Sequence, residues 1–204
     1  MKRFLAAFML VCGLLVAGGA NAAGTVTFTE TGGNVVVTFS GSINTAALTA
    51  NGTNAFITAI APSFALVNIG DNAATTCSSY LGLNGPTSWG SGGITNTSSV
   101  SGDKILIYGA HSELCVPVGY AGGNLSGTST YNATTIATLG FTVGTYTYTW
   151  GSGATADSIN LYIGTSPNPT PTPSAVPTLS EWAQLMLGLM VISMLGWQWR
   201  KQQN

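Results

Sequence analysis

The chain has 204 residues, with five Lys or Arg, six Asp or Glu, a single His and 27 glycines. Between residues 23 and 164 there are five acids (Glu30, Asp71, Asp103, Glu113, Asp157) and one base (Lys104), a net charge of −4. Nucleic-acid binding needs a basic surface to displace counterions from phosphates, so one lysine excludes nucleic acid as a partner.

The N-terminus reads as a signal peptide over residues 1–22. Lys2 and Arg3 form a basic start, residues 4–16 an apolar run, and Ala20-Asn21-Ala22 an A-x-A cleavage site. The apolar run is too short for a stable anchor, although an uncleaved N-terminal anchor is the alternative. Cleavage before Ala23 leaves an exported domain over residues 23–165, large enough for one core. Its solubility comes from Thr, Ser, Asn and Gly rather than from charge.

Export also frames the cysteines. Cys12 leaves with the signal, so Cys77 and Cys115 remain as the one pair, and in an oxidising compartment they form a disulfide. Closing a loop of about 38 residues stabilises by roughly 3–4 kcal/mol on the loop-entropy estimate. A catalytic thiol is the alternative, and would need His111 as its partner.

Along the mature chain, Thr25 to Glu30 and Val35 to Phe39 alternate around Gly32-Gly33-Asn34 and predict a β-hairpin. Residues 40–54 are small and polar, with Ile43, Ala47 and Leu48 spaced for a short strand or a helical turn. Further strands are predicted at Ala65 to Ile69, Lys104 to Tyr108, Cys115 to Tyr120 and Ser126 to Tyr131. The run from Gly85 to Gly93 is a turn-rich loop around Trp89, and Thr135 to Gly140 forms a brief helical turn ended by Gly140. Thr145 to Trp150 and Asp157 to Ile163 close the series. Short strands at near-regular spacing, with no long amphipathic helix, predict an all-β antiparallel β-sandwich.

Tyr146, Tyr148 and Trp150 share one face of their strand. They form either half of the core or a sugar-stacking platform, which would make the domain a carbohydrate-binding module for extracellular polysaccharide. Catalytic and metal signals are thin. His111 has Glu113 and Asp103 near it in sequence but no Gly-x-Ser-x-Gly elbow accompanies it, and zinc would be left with one His once both thiols are bridged. Five acids scattered one per loop do not suggest the paired carboxylates of glycoside hydrolysis. Asn68, Asp71, Asn72 and Asp103 offer oxygens for calcium, or for Asx-turn hydrogen bonds. No catalytic residue, metal or cofactor is assigned from the sequence.

Beyond the domain, residues 166–175 form an extended Pro/Thr-rich linker. There follow Val176, Pro177, Thr178, Leu179, Ser180, Glu181 and Trp182, in which Thr178 and Glu181 make an S/T-x-x-E capping box. The 18 residues from 182 to 199 would span roughly 27 Å as a helix, close to a bilayer core, with tryptophans at both ends. Arg200 and Lys201 then act as a basic stop that keeps the C-terminus in the cytoplasm. Hydropathy alone would equally allow a plain single-pass tail anchor.

Motif, helix and basic tail in this order resemble the IPTL-CTERM sorting signal of Gram-negative bacteria, a relative of PEP-CTERM, over residues 176–204. Val176 departs from the usual Ile. The resemblance implies an inner-membrane-anchored precursor whose ectodomain lies outside the cytoplasm. It also implies processing by an exosortase-type membrane protease or transpeptidase and a final place at the cell surface or in the extracellular matrix. The segments Gly85 to Gly93, Val116 to Tyr120, Leu125 to Gly127, Leu139-Gly140 and Gly144 to Asp157 are similar to exported substrates carrying such tags, which implies a family of envelope or matrix proteins and speaks to location and fold rather than chemistry; the role expected there is structural or adhesive.

Overall fold

The computed structural model describes residues 23–56, 58–71 and 76–165. The predicted signal peptide, the linker, and the sorting motif with its helix and basic tail lie outside these residues, as does Asn72. Among the described residues no helix is long and apolar enough to cross a membrane.

The β-formers segregate into two sheets around one core. Six strands make the first: β1 (Ala23–Thr31), β2 (Asn34–Gly41), β8 (Ser99–Gly102), β11 (Leu125–Tyr131), β12 (Gly144–Trp150) and β13 (Asp157–Ile163), ordered β12-β13-β1-β2-β11-β8. Seven make the second: β3 (Thr49–Ala55), β4 (Ala59–Ala61), β5 (Leu66–Ile69), β6 (Thr76–Leu81), β7 (Thr95–Asn96), β9 (Ile105–Tyr108) and β10 (Glu113–Pro117), ordered β3-β6-β10-β9-β5-β4-β7. Val26, Phe28, Val37, Phe39, Ile159 and Leu161 of the first sheet meet Ile60, Val67, Ile69, Ile105, Ile107 and Leu114 of the second in one buried cluster. The all-β, two-sheet expectation is met.

The predicted hairpin forms with a two-residue turn. Thr31 pairs with Asn34, and Gly32 and Gly33 both take positive φ (59° and 77°), the twist that matches flanking strands and that glycine adopts without steric cost. The stretch after it divides into a 3-10 turn, Thr45–Ala47, and then β3. The helical turn at residues 135–140 is also present. The amide of Leu139 donates to Thr135, that of Gly140 to Ala137 and that of Phe141 to Ile136, with Gly140 at φ 77°.

One expectation is corrected. The sheets are not wholly antiparallel, because β1 runs parallel to β13, in register from Ala23 opposite Ser158 to Phe28 opposite Ile163. The first and last strands thus lie side by side, with β1 zipped between β13 and β2.

At one end of the core, rings of distant segments meet. Phe28 lies 4.9 Å from Phe141 between ring centroids, and Trp89 stands edge-on to Phe28 at 6.3 Å and to Tyr148 at 6.2 Å. Trp89 is what the glycine-rich loop is wrapped around: its amide donates to Pro62 and its carbonyl accepts from Thr142.

Candidate functional site

Cys77 and Cys115 are joined, with Cα atoms 5.7 Å apart. Register explains the reach: Cys115 lies opposite Ser79 and Cys77 opposite Pro117, so the two cysteines sit diagonally on adjacent strands β10 and β6, on the face turned away from the core. The bridge is fully buried there with Leu106, under Phe56 and Tyr108.

The aromatic strand is core, and the sugar-platform alternative for Tyr146, Tyr148 and Trp150 is corrected. Tyr148 and Trp150 are 1% and 5% exposed, and Tyr146 is half-buried against the same cluster. Each polar tip is spent on a backbone carbonyl: the Tyr148 hydroxyl donates to Pro86 (2.6 Å), Trp150 Nε1 to Asn44 (2.7 Å) and the Tyr146 hydroxyl to Thr142 (3.0 Å). Burial pushes the Tyr148 phenol well above its ordinary value. Tyr148 and Trp150, held this way, serve as wedges between loops and sheet and have no face left to stack on an external ring.

The polar candidates disperse. Glu113 is buried, its Oε1 accepting from Ser79 Oγ (2.6 Å) and Asn54 Nδ2 (3.0 Å), while Asn51 Nδ2 donates to the same Ser79 hydroxyl. His111 is exposed and stacks on Tyr108, centroids 4.1 Å apart. Asp103 Oδ2 accepts the Ser126 amide, and Asn68 Nδ2 donates to the Phe56 carbonyl. These are turn and strap contacts. Among the described residues no three His, Cys, Asp or Glu side chains gather in a way that could hold a metal ion.

What the sequence reading missed is the outer face of the second sheet. Two hairpins there share one connection. In each, a 3-10 turn (Pro62–Phe64 or Gly109–His111) ends in a left-handed residue, Ala65 (φ 49°) or Ser112 (φ 53°), whose amide closes back on the turn's first carbonyl. Register then lays out a continuous row: Ala61 opposite Leu66, Leu66 opposite Tyr108, Tyr108 opposite Glu113, Glu113 opposite Leu81. The third residues of the two turns, Phe64 and His111, are both exposed beyond this row.

A short strap crosses the same face. The chain leaves β3 at one edge of the sheet and enters β4 near the other, and the described residues on the way are Phe56 and Thr58. The Phe56 carbonyl accepts from Lys104 Nζ (2.7 Å) and Asn68 Nδ2 (3.3 Å), and Thr58 Oγ1 donates to the Asp71 carbonyl (3.2 Å). Lys104 is 4% exposed, and burial lowers its pKa from the ordinary lysine value while the Asp71 charge partly holds it up. The domain's one base is thus spent clamping its own strap, and no described residue offers an exposed amine or guanidinium.

Between strap and sheet edge lies an apolar groove of about 150 Å³, lined by residues that include Phe56, Phe64, Leu66, Ile94 and Tyr108. The residues were visible in the sequence as Ala59-Ile-Ala61 and Ile105-Leu-Ile-Tyr108, runs without alternation, which signal strands buried on both faces. Comparison of the chain with protein-family models, with curated proteins and with solved structures finds no match in any of the three.

Proposed function

We propose that the chain is an exported, non-enzymatic protein of the cell surface or extracellular matrix, made as an inner-membrane-anchored precursor and processed by an exosortase-type enzyme. The observation that carries this reading is the order of parts at the C-terminus: Pro/Thr linker, Val176 to Trp182, an apolar stretch of bilayer length, then Arg200-Lys201. The chain is the substrate of that enzyme, with the Thr178 to Glu181 neighbourhood as the part it reads.

Two features of the domain support the reading. A closed Cys77–Cys115 bridge suits an oxidising compartment. A surface without exposed cations, solubilised by Thr, Ser and Asn, suits a structural or adhesive role outside the cell better than binding to polyanions. The absence of an enzyme is part of the proposal, argued from the engagement of Glu113, Asp103 and His111 in structural contacts. The test is the mass of the mature protein from cells with and without the processing enzyme. Loss of the 182–204 tail only when the enzyme is present supports the reading, and an intact tail in both contradicts it.

A further inference from the structure

We propose that Asn51 of β3 is a self-modification site. The Gly52 backbone nitrogen displaces its side-chain amide, water opens the resulting ring to aspartate or isoaspartate, and the new charge loosens β3 from β6. The inference goes beyond the sorting reading and stands on the domain alone.

Asn-Gly occurs twice between residues 23 and 165, at Asn51-Gly52 and at Asn84-Gly85, and all four residues are exposed. In such a pair the glycine nitrogen can close a succinimide ring on the asparagine side-chain carbon. Glycine has no side chain to obstruct the approach, and it turns through backbone angles that other residues rarely adopt. The chemistry is the same at both pairs, and the fold decides between them.

At the first pair the ladder is interrupted. Ala50 lies opposite Tyr80 and Thr53 opposite Ser78, so Asn51 and Gly52 share Ser79, the two-against-one count of a β-bulge. Gly52 has φ 82°, and no atom lies within 4 Å of the place where a Cβ would stand. β3 is also an edge strand, with β6 as its one neighbour in the sheet.

The second pair is held on both sides. The Asn84 amide donates to the Thr149 carbonyl (3.0 Å) and the Thr149 amide donates back to the Asn84 carbonyl (2.9 Å). Gly85 packs so closely on the Tyr148 ring that a Cβ there would overlap it. Turning the Gly85 nitrogen towards the Asn84 side chain breaks that bridge and moves a buried tyrosine.

The step balances without an oxidant. The Gly52 nitrogen gives up its proton and bonds to Asn51 Cγ, the Cγ–Nδ2 bond breaks, and Nδ2 leaves as ammonia with that proton. Water then adds at either ring carbonyl, its hydroxyl going to carbon and its hydrogen to the glycine nitrogen. One amide becomes one carboxylate.

The neighbours give that carboxylate its effect. Asn51 Nδ2 donates to Ser79 Oγ (3.3 Å), and Ser79 gives its one hydroxyl hydrogen to Glu113 Oε1 (2.6 Å), a buried carboxylate that Asn54 also binds. A carboxylate at position 51 has no hydrogen to donate. It competes with Glu113 for the Ser79 hydrogen and sets like charges across one hydroxyl, which opposes the β3–β6 pairing.

The test incubates the folded full chain at mildly alkaline pH in heavy-oxygen water, which marks each carboxylate formed, and reads Asn51 and Asn84 by peptide mass. The inference expects Asn51 to convert about tenfold faster than Asn84 or more, the rate difference that one or two hydrogen bonds can impose. The two rates should converge once the chain is reduced and unfolded in urea. Asn51→Gln, which keeps the amide but enlarges the ring to be closed, should abolish conversion at that position. Equal rates in the folded chain, or an Asn51 that stays intact, overturn the inference.

The product is tested directly as Asn51→Asp, with closure of Cys77–Cys115 to alkylation as the folding check. Hydrogen exchange of the β3 amides paired to β6 should quicken about tenfold, while that of Val26 and Phe28 in β1 stays unchanged. Unchanged exchange in β3 overturns the loosening. Each readout is taken within the domain whether or not the tail has been removed, so its failure and failure of the sorting reading are separate results.

Discussion

The two sheets solve burial differently. In the first, every long strand alternates: Val26 and Phe28 point inward, Thr25 and Thr27 outward, and the outer face is a carpet of Thr and Ser in water. In the second, β4 is buried at every residue, and β9 and β10 are buried at all but one. Over β6, β9 and β10 its outer face is covered by the strap through Phe56, by the disulfide and by the clamped Lys104, while β3 at the edge stays exposed. A sheet with one wet face is held by its core alone. A sheet with two dry faces needs a second set of fastenings, and the domain's one disulfide and one base are both spent there.

The largest expected effects place core-sized losses on an outward face. Leu106→Ala, facing away from the shared core, should cost about 2–5 kcal/mol, as Phe28→Ala does at about 3–5 inside it. Thr27→Ala on the outer face of the first sheet should change stability by no more than about 0.5 kcal/mol. Urea midpoints of the three variants measure this, and a Leu106→Ala cost near that of Thr27→Ala would erase the distinction.

Removing both bridge cysteines as Ala should cost roughly 3–4 kcal/mol for a 38-residue loop, again by urea titration. Lys104→Met comes next, at about 1–2 kcal/mol, since Asn68 still donates to the Phe56 carbonyl. The same lysine makes a protease prediction. It is the one trypsin site between residues 23 and 165 and is buried, so the folded domain should survive trypsin whole and be cut at Lys104 only on unfolding.

The smallest effect belongs to the first sheet. Desolvation raises the Asp157 carboxyl above its ordinary value, with the amides of Asn44 (2.6 Å) and Ser158 (2.7 Å) pulling the other way. The folded domain therefore holds this proton more tightly than the unfolded chain does. Its contribution is stabilising in acid and is lost as pH rises from the unfolded value, about 4, through the folded one. Asp157→Asn should flatten that part of the stability–pH curve, and an unchanged slope would place the pH dependence elsewhere.

The same contrast decides how much could be read from the sequence. The β1–β2 hairpin, β12 and β13 were legible because one wet face imposes a period of two. So was the bridge, from compartment and count. β3, as Thr-Ala-Asn-Gly-Thr-Asn-Ala, has almost no β-forming residues and is a strand only because β6 pairs with it, and β4 and β7 are too short to carry a pattern. The parallel pairing of β1 with β13 joins residues more than a hundred positions apart, which no local signal encodes. Tyr148 and Trp150 looked presentable in sequence because alternation gives a face without saying which face is wet. The outer groove needed the strap, and the strap needed the sheet order.

The most direct measurement for the export-and-processing account is the intact mass of the protein recovered from the cell surface, without reductant, before and after thiol alkylation. The account predicts a chain that begins at Ala23, lacks the 182–204 tail and takes up no alkylating reagent until it is reduced. A chain that keeps residues 1–22 and the tail, with Cys77 and Cys115 alkylated without reduction, would contradict it.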